Sequence, residues 1–300
     1  MNELNTPVVK AYDSIFRSGL FAGRVVVITG GGSGIGRCTA HELAALGARV
    51  ALIGRKSEKL IATEAEIRAA GGEAAWWSLD IRDEAAVTAA VGEIITRFGR
   101  IDGLVNNAGG QYASDLDKIS AKGFDAVVRS NLLGGFLMAR ECYTQWLRDH
   151  GGAIVNIVAD MWNGMPTMGH SGAARAGMIN LTETAAFEWA AKNVRVNAVA
   201  PGVIASSGMD TYPPERREYI RTRGERVPLG RFGTESEVSA AIVFLLSDAS
   251  LYTTGTTLRI DGGTPTVRPA VPLKPRAPSD AAPQYQGFHL AETPKVLQGL

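Results

Sequence analysis

The stretch that decides the fold is VVVITGGGSGIG, Val25 to Gly36. Four branched apolar residues, Val25 to Ile28, predict a strand that is buried on both faces. A Gly-rich turn follows at once, and a helical pattern runs from Ile35 to Leu46. Gly30, Gly34 and Gly36 allow the backbone to approach a pyrophosphate, whose charge then lies at a helix N-terminus. This strand–turn–helix order predicts a nucleotide-binding unit rather than an ordinary tight turn.

The composition limits the possible functions. The chain has 300 residues, of which 45% are hydrophobic, and 31 Lys and Arg stand against 30 Asp and Glu. The net charge of +1 gives no sign of a nucleic-acid-binding or membrane-binding surface. The N-terminal MNELNTPVVK lacks a cationic-then-apolar signal, no apolar run approaches transmembrane length, and no metal site is predicted. Cys38 and Cys142 fall in helical patterns and are predicted to be buried apolar residues, so a cytoplasmic enzyme is expected.

Strands and helices alternate along the rest of the chain. Strands are predicted at 25–28, 49–53, 73–79, 103–105, 153–158, 194–199 and 257–260, and helices at 35–46, 57–70, 84–98, 121–149, 171–192 and 235–246. This order predicts an α/β fold, residues 23–263, with a single Rossmann-type doubly wound parallel sheet and helices on both faces.

Three segments lie outside that regular pattern. Residues 1–22 form a short lead-in, and the polar, arginine-rich residues 206–233 are a candidate lid over the substrate. Residues 264–300 are rich in proline, so we predict an extended or disordered tail without regular helix or strand.

Several strand ends carry residues suited to a dinucleotide. Arg55 and Lys56 follow the second strand, and the first carboxylate comes only at Glu58. In dinucleotide folds an acidic residue at this point binds the ribose 2′-hydroxyl, whereas an Arg accommodates a 2′-phosphate, so NADP(H) is favoured over a plain solvated basic turn. Asp80 is placed to read an adenine edge or to cap the next helix, and the two roles are compatible. The small residues of 106–109 end another strand, where the crevice of the sheet is expected.

The motifs TGGGSGIG (29–36), NNAG (106–109), Asn131 and APGVI (200–204) together resemble the short-chain dehydrogenase/reductase family over about residues 22–263. Because several separate motifs occur in the right order, the resemblance is specific. It implies an active site near Asn131 and residues 158–175, and a nicotinamide cofactor. The residues implied to hold that cofactor are Thr29, Gly30, Ser33, Gly34, Ile35, Gly36, Arg55, Lys56, Asp80, Ile81, Asn107, Ala108, Gly109, Arg175, Pro201, Gly202 and Ile204.

The usual catalytic residues of that family are replaced here. Arg175 stands at the position of the family's Lys, which puts Ser171 where the Tyr belongs, and the strand end 156–159 has no Ser. The segments HSGAARAGM (170–178) and NNAGGQY (106–112) resemble the peroxisomal trans-2-enoyl-CoA reductases, NADPH enzymes that saturate an acyl-CoA double bond. The related 2,4-dienoyl-CoA reductases also lack the Tyr at its usual place. Their mitochondrial form has a Tyr fifteen residues before the Lys, which is the position of Asp160.

The resemblance implies roles for these residues, and ordinary structural roles compete with most of them. Arg175 is expected to bind the nicotinamide ribose and, because it stays protonated, cannot shuttle a proton. Ser171 is either a donor to a substrate carbonyl oxygen or a helix N-cap. Asp160 is either an acid whose pKa is raised by burial or a surface carboxylate. Asn131 is a buried amide or a helix irregularity near the site, and a lone His such as His170 is more often structural than an acid–base group.

The function predicted from these residues is NADPH-dependent reduction of the C2=C3 bond of a trans-2-enoyl-CoA. Carbonyl chemistry needs a group that titrates near the operating pH, which Ser171 is not, whereas conjugate reduction needs donors that stabilise an enolate. One alternative is an alcohol or aldehyde dehydrogenase acting on a hydrophobic or terpenoid substrate. The other is a non-catalytic protein that binds NADP(H) as a sensor or scaffold.

The family resemblance also implies a homotetramer built by pairing helices 121–149 and 171–192. The apolar residues expected to contribute to that contact are Leu132, Leu133, Phe136 and Leu137. The tail is a candidate to cross a neighbouring subunit, with Tyr285 and Phe288 as anchors. The last residues, 298–300, are not a peroxisomal address.

Overall fold

Parallel strands form the centre of the computed structural model, which describes residues 11–212, 214–267, 273 and 282–299. Its strands are β1 Val25–Thr29, β2 Arg49–Gly54, β3 Glu73–Ser78, β4 Gly103–Asn106, β5 Gly152–Ile157, β6 Val194–Pro201, β7 Ile204–Ala205, β8 Gly233–Thr234 and β9 Thr257–Ile260. Its α-helices are α1 Gly34–Ala45, α2 Ser57–Ala69, α3 Glu84–Phe98, α4 Ala121–Val128, α5 Gly134–Cys142, α6 Arg148–His150, α7 Gly169–Trp189, α8 Arg217–Arg221 and α9 Glu235–Leu246.

The central sheet has seven strands in the order β3-β2-β1-β4-β5-β6-β9, and every neighbouring pair is parallel. Apolar cores lie on both faces, one beneath α1 and α9 and one beneath α3 and α5. All five residues of β1 are buried, as the branched apolar run predicts. The strand order reverses between β1 and β4, which is where doubly wound sheets bind ligands. The predicted Rossmann-type fold is confirmed.

The long helical stretch that begins at Ala121 is continuous but irregular. Two π-helical segments, Arg129–Leu133 and Tyr143–Leu147, interrupt its α-helical geometry. Asn131 lies in the first of them and is buried. Both alternatives for this residue therefore hold, because it is a satisfied core amide within a local helix irregularity of the kind that often marks functional sites.

The capping alternatives for Asp80 and Ser171 do not hold. Asp83, not Asp80, caps α3, and its side chain accepts a hydrogen bond from the Ala86 amide. The Asp80 carboxylate is instead held by Arg82, two residues later. Helix α7 begins two residues earlier than predicted, with Met168 at its N-cap, so Ser171 lies in the first turn and caps nothing.

Residues 282–299, the longest described part of the tail, pack against the domain. Their regular structure is one 3₁₀ turn, Lys295–Leu297, and another 3₁₀ turn, Thr264–Thr266, lies at the start of the tail. Phe288 is buried against Tyr12 of the lead-in and His41 of α1. Tyr285 donates to the carbonyl of Asp13 at 3.0 Å, so both predicted anchors contact their own chain. The prolines at 269, 272, 275 and 278, and Leu300, lie outside the described residues.

Both cysteines are buried and unpaired, as predicted, and burial raises the pKa of each thiol. Among the described residues, no helix combines the length and the apolar character needed to cross a bilayer.

Candidate active site

A groove follows the carboxyl ends of β1, β2, β3 and β4. We call it the strand-end groove; its lining residues are Gly30, Gly32, Ser33, Gly54, Arg55, Lys56, Lys59, Leu60, Leu79, Asp80, Ile81, Arg82, Asn107, Ala108, Gly109, Gly110 and Ser130. Nine of the predicted cofactor-binding residues line this groove. The ends of β2, β3 and β4 therefore lie beside the Gly-rich turn that follows β1.

The Gly-rich turn leaves a helix N-terminus free to bind an anion. Ser33 is the N-cap residue of α1, but its side chain makes no capping hydrogen bond, and the first turn of α1 contains no acidic residue. The turn is also crowded, since a Cβ at Gly30 would lie 2.7 Å from Nδ2 of Asn107 and one at Gly36 would lie 2.4 Å from the same atom. Gly30 and Gly34 have positive φ angles of 68° and 57°, which favour glycine. These features fit the pyrophosphate of a dinucleotide.

One edge of the strand-end groove is basic. Arg55, Lys56 and Lys59 are exposed there. Arg82 joins them and forms hydrogen bonds with both carboxylate oxygens of Asp80, at 2.5 to 3.0 Å. These bonds, with the charge of Arg55 as a smaller contribution, lower the pKa of Asp80 to about 2. An anionic phosphate at this edge would be surrounded by cations.

Thr29 connects the two strands that flank the switch point. Its hydroxyl accepts hydrogen bonds from the amides of Asn107 and Ala108, at 3.0 and 2.9 Å. The Asn107 side chain returns a bond of 2.9 Å to the Thr29 carbonyl. The side chains of Thr29 and Asn107 therefore bind backbone groups and join the ends of β1 and β4.

Asn131 and Arg175 meet at the end of β4. The Asn131 amide forms hydrogen bonds with the Gly110 backbone in both directions, at 2.7 and 3.0 Å. A Cβ at Gly109 would lie 2.4 Å from Oδ1 of Asn131 and 2.6 Å from Nη2 of Arg175. Arg175 also donates to the carbonyl of Ile157, and burial lowers its pKa to about 10. It is therefore still a cation at neutral pH, and its Nε has no hydrogen-bond partner among the described residues.

Ser171 faces a short chain of polar groups. Its hydroxyl is buried and donates a 2.7 Å hydrogen bond to the side-chain carbonyl oxygen of Gln111. The amide nitrogen of Gln111 in turn donates to the hydroxyl of Tyr212, at 3.2 Å. Because Tyr212 belongs to residues 206–233, this predicted lid reaches the candidate active site.

Asp160 follows β5, where its amide donates to the carbonyl of Pro201, and His170 directly precedes Ser171 in α7. Asp160 is half-buried rather than on the surface, and its pKa is raised by burial and by the nearby charge of Asp261. His170 is fully buried, accepts a 2.9 Å hydrogen bond from the Ser171 amide, and packs against the edge of the Tyr112 ring.

The structure does not bring every predicted residue into the strand-end groove. Pro201 and Gly202 lie at the end of β6, and a Cβ at Gly202 would come within 2.7 Å of Asp261. Ile204 lies in β7 and borders a separate cavity beside Val227. Sequence reasoning missed Lys59, Arg82, Gln111 and Tyr212. Of these, only Gln111 stood in a quoted motif; the others come near the site through tertiary packing.

Comparisons with known proteins identify the family. Residues 30–265 match the family model described as enoyl-(acyl carrier protein) reductase. A probable 2,4-dienoyl-CoA reductase of Bacillus subtilis is 37% identical over 243 residues, covering 80% of this chain and 96% of the relative. The chain belongs to the short-chain dehydrogenase/reductase family.

Other relatives in this family differ in their named reactions. A 3-oxoacyl-(acyl-carrier-protein) reductase of Thermotoga maritima is 37% identical, over 80% of this chain and 97% of that protein. A solved structure from Pseudomonas aeruginosa, named citronellol catabolism dehydrogenase, is 58% identical with a TM-score of 0.77, covering 84% of this chain and 99% of that one. The protein is therefore an oxidoreductase that uses a nicotinamide cofactor. This supports an enzyme over the non-catalytic alternative.

Proposed function

We propose that this enzyme reduces the conjugated C2=C3 bond of an enoyl thioester, with a trans-2-enoyl-CoA as substrate and NADPH as cofactor. The main support is the Ser171 hydroxyl, which donates to the amide carbonyl oxygen of Gln111. An amide carbonyl has the same acceptor geometry as a thioester carbonyl. Ser171 is thus oriented to donate to such an oxygen once a substrate displaces Gln111, whose side chain is exposed.

The residues of the site suit charge stabilisation better than proton exchange at oxygen. When bound, the nicotinamide supplies a hydride for the β-carbon of the substrate. Negative charge then develops on the thioester oxygen, where Ser171 is a preorganised donor. An aliphatic hydroxyl does not ionise near neutral pH, and Arg175 keeps its proton, so neither serves as the acid or base that carbonyl chemistry needs.

The α-carbon of the substrate must also receive a proton. Asp160 is the candidate donor, directly or through a water, because burial raises its pKa and favours the protonated carboxyl. Arg259 and Arg223 oppose this shift by favouring the carboxylate. The choice of NADPH is supported by Arg55, Lys56 and Lys59, which line the groove where a 2′-phosphate would lie.

The test combines a substrate panel with one variant. Purified enzyme and NADPH are assayed against trans-2-enoyl-CoA thioesters of increasing chain length, following loss of NADPH absorbance. We expect turnover, and we expect Ser171→Ala to lower kcat on the order of a hundredfold, as for loss of a donor to a developing oxyanion. Ser18→Ala is the matched control, because Ser18 is exposed in the lead-in, which joins the end of β1 opposite the strand-end groove. An unchanged kcat in Ser171→Ala would contradict the proposed role.

A second candidate function is oxidation of an alcohol on a terpenoid chain. It is favoured by the 58% identity to the structure named citronellol catabolism dehydrogenase. This reaction requires a base, for which Asp160 or His170 is available in the site. Oxidation of citronellol with NADP⁺, without turnover of any enoyl-CoA, would replace the first proposal with this one.

A further inference from the structure

Side chains of the lid, residues 206–233, form hydrogen bonds with the backbone at the end of the tail. Asp210 of the lid accepts the amide hydrogens of Lys295 and Val296, at 3.1 and 2.9 Å. From α8, also within the lid, Arg221 donates to the carbonyl oxygens of Val296 and Gln298, at 2.7 and 3.2 Å. Residues 294–299, which we call the C-terminal clamp, are thus bound on both sides by lid side chains.

The clamp also supplies apolar side chains to the interior of the lid. Val296 and Leu297 are only 6% and 8% exposed, so they belong to a buried core and not to a surface contact. The lid residues in the same cluster are Met209, Ile220 and Val227, with Tyr212 and Phe232 packed against them. The end of the chain therefore provides two of the six buried residues of the apolar core beneath the lid.

A series of contacts links the same cluster to the hydroxyl of Ser171. Tyr212 packs against the cluster through its ring and accepts a hydrogen bond from Gln111 through its hydroxyl. Gln111 then accepts the hydrogen bond from Ser171. An unbroken series of contacts thus runs from Val296 and Leu297, through the lid, to the group proposed to bind the substrate carbonyl.

We propose that the C-terminal clamp is a positioning element that holds the lid over the active site within the same chain. The location of the active site rests on the proposed function, but the fastening of the lid does not. The hydrogen bonds of Asp210, Arg221 and Val296 join the lid to the clamp, and none given for the described residues reaches Asn131, Ser171 or Arg175, so they act through the lid. A lid ordered in advance lowers the entropy cost of binding substrate, so loosening it raises KM more than it changes kcat.

The first measurement is limited digestion with trypsin, which needs no substrate. Arg217 and Arg226 are exposed lid residues at which trypsin can cut when the lid opens. In Asp210→Asn, and in a chain that ends at Glu292, we expect cleavage at these two sites to rise on the order of tenfold, because proteolysis follows the population of the opened state. Asp149→Asn makes the same chemical change at an exposed position far from the lid and should leave the digestion unchanged.

The second measurement separates positioning from general stability. In Asp210→Asn the melting temperature should stay within about 2 °C of the wild type, because only a local contact is lost. The KM for an enoyl-CoA should rise about tenfold with kcat within about twofold. Unchanged cleavage at Arg217 and Arg226 in both variants would overturn the proposal, and so would an equal acceleration at sites throughout the chain. If no enoyl-CoA is turned over, the proposed function fails while the digestion still decides whether the clamp holds the lid.

Discussion

At the scale of single residues, the cofactor preference depends on Arg55. Its guanidinium is exposed at the strand-end groove, where it is free to make charge-assisted hydrogen bonds to a 2′-phosphate. Such bonds contribute roughly 1.5–3 kcal/mol each. Arg55→Asp should therefore weaken NADPH binding about tenfold or more and reduce the difference in affinity between NADPH and NADH. Fluorescence titration with both cofactors measures this. Arg68→Asp makes the same change at an exposed position on α2 and is the control. Equal affinity of the wild type for NADPH and NADH would contradict the prediction.

Glu235 should make the stability of the fold depend on pH. It is the first residue of α9, and burial raises its pKa from 4.5 to about 7, although the charge of Arg37 opposes the shift. The folded state therefore binds more protons than the unfolded state between these values, and the free energy of unfolding falls as the pH rises through that range.

The variant Glu235→Gln removes this dependence. At pH 8 we expect it to be more stable than the wild type by on the order of 1–3 kcal/mol, and the advantage should disappear at pH 4.5. Urea unfolding of both proteins at the two pH values measures the difference. If the two proteins differed in their free energy of unfolding by the same amount at pH 4.5 and pH 8, the pKa of Glu235 would not be raised in the folded protein.

At the scale of elements, the tail acts as a strap across α1. The Phe288 ring lies 5.0 Å from the His41 ring and 6.0 Å from the Tyr12 ring, measured between centroids, and is 3% exposed. Replacing a buried Phe by Ala typically costs 3–5 kcal/mol, and because a terminal strap can detach locally we expect Phe288→Ala to cost about 2–4 kcal/mol. Thermal or urea unfolding measures this, with the fully exposed Tyr252→Ala as the control.

The dependence on protein concentration distinguishes a strap within one chain from one between subunits. Since Phe288 contacts residues of its own chain, the loss of stability in Phe288→Ala should be the same at low and high protein concentration. A loss that grows on dilution would instead indicate that the tail crosses a neighbouring subunit.

At the scale of the whole molecule, the outer faces of α5 and α7 are candidates for assembly. Of the four residues expected to provide apolar surface, only Phe136 is exposed, whereas Leu137 faces the core and Leu132 and Leu133 pack against it. Phe187 on α7, which sequence reasoning did not single out, is 87% exposed. Exposed aromatic rings on neighbouring helices are typical of protein interfaces.

We therefore expect a homotetramer that Phe187→Glu dissociates, because a carboxylate there would be buried without a partner. Light scattering after size-exclusion chromatography at micromolar concentration measures the mass. Ile61→Glu, on the exposed face of α2, is the control and should keep the wild-type mass. A wild-type protein that is already a monomer would rule this assembly out.

The sequence alone determined the fold and the position of the groove. Buried strands, helical periodicity and turn glycines are local patterns, and the order of the elements then leaves few topologies for a parallel sheet. Residues at strand ends, such as Gly30, Arg55 and Asn107, could be predicted for the same reason, because parallel strands bring their carboxyl ends to one edge. Helix caps were harder to predict, since Asp80 and Asp83 both precede α3 and either could cap it. Only the structure shows that Arg82 binds the Asp80 carboxylate and that Asp83 is the cap.

Only the tertiary structure decided what surrounds Ser171 and what holds the lid. Gln111 is 60 residues from Ser171 and 101 residues from Tyr212 along the chain, and no periodicity of the sequence encodes such pairs. The prolines of the tail predict a segment without a regular helix or strand, and its described residues contain 3₁₀ turns at Thr264–Thr266 and Lys295–Leu297. Its binding to Asp210 was not predictable, because Asp210 and Val296 are 86 residues apart, and their contact depends on backbone amides that every sequence carries.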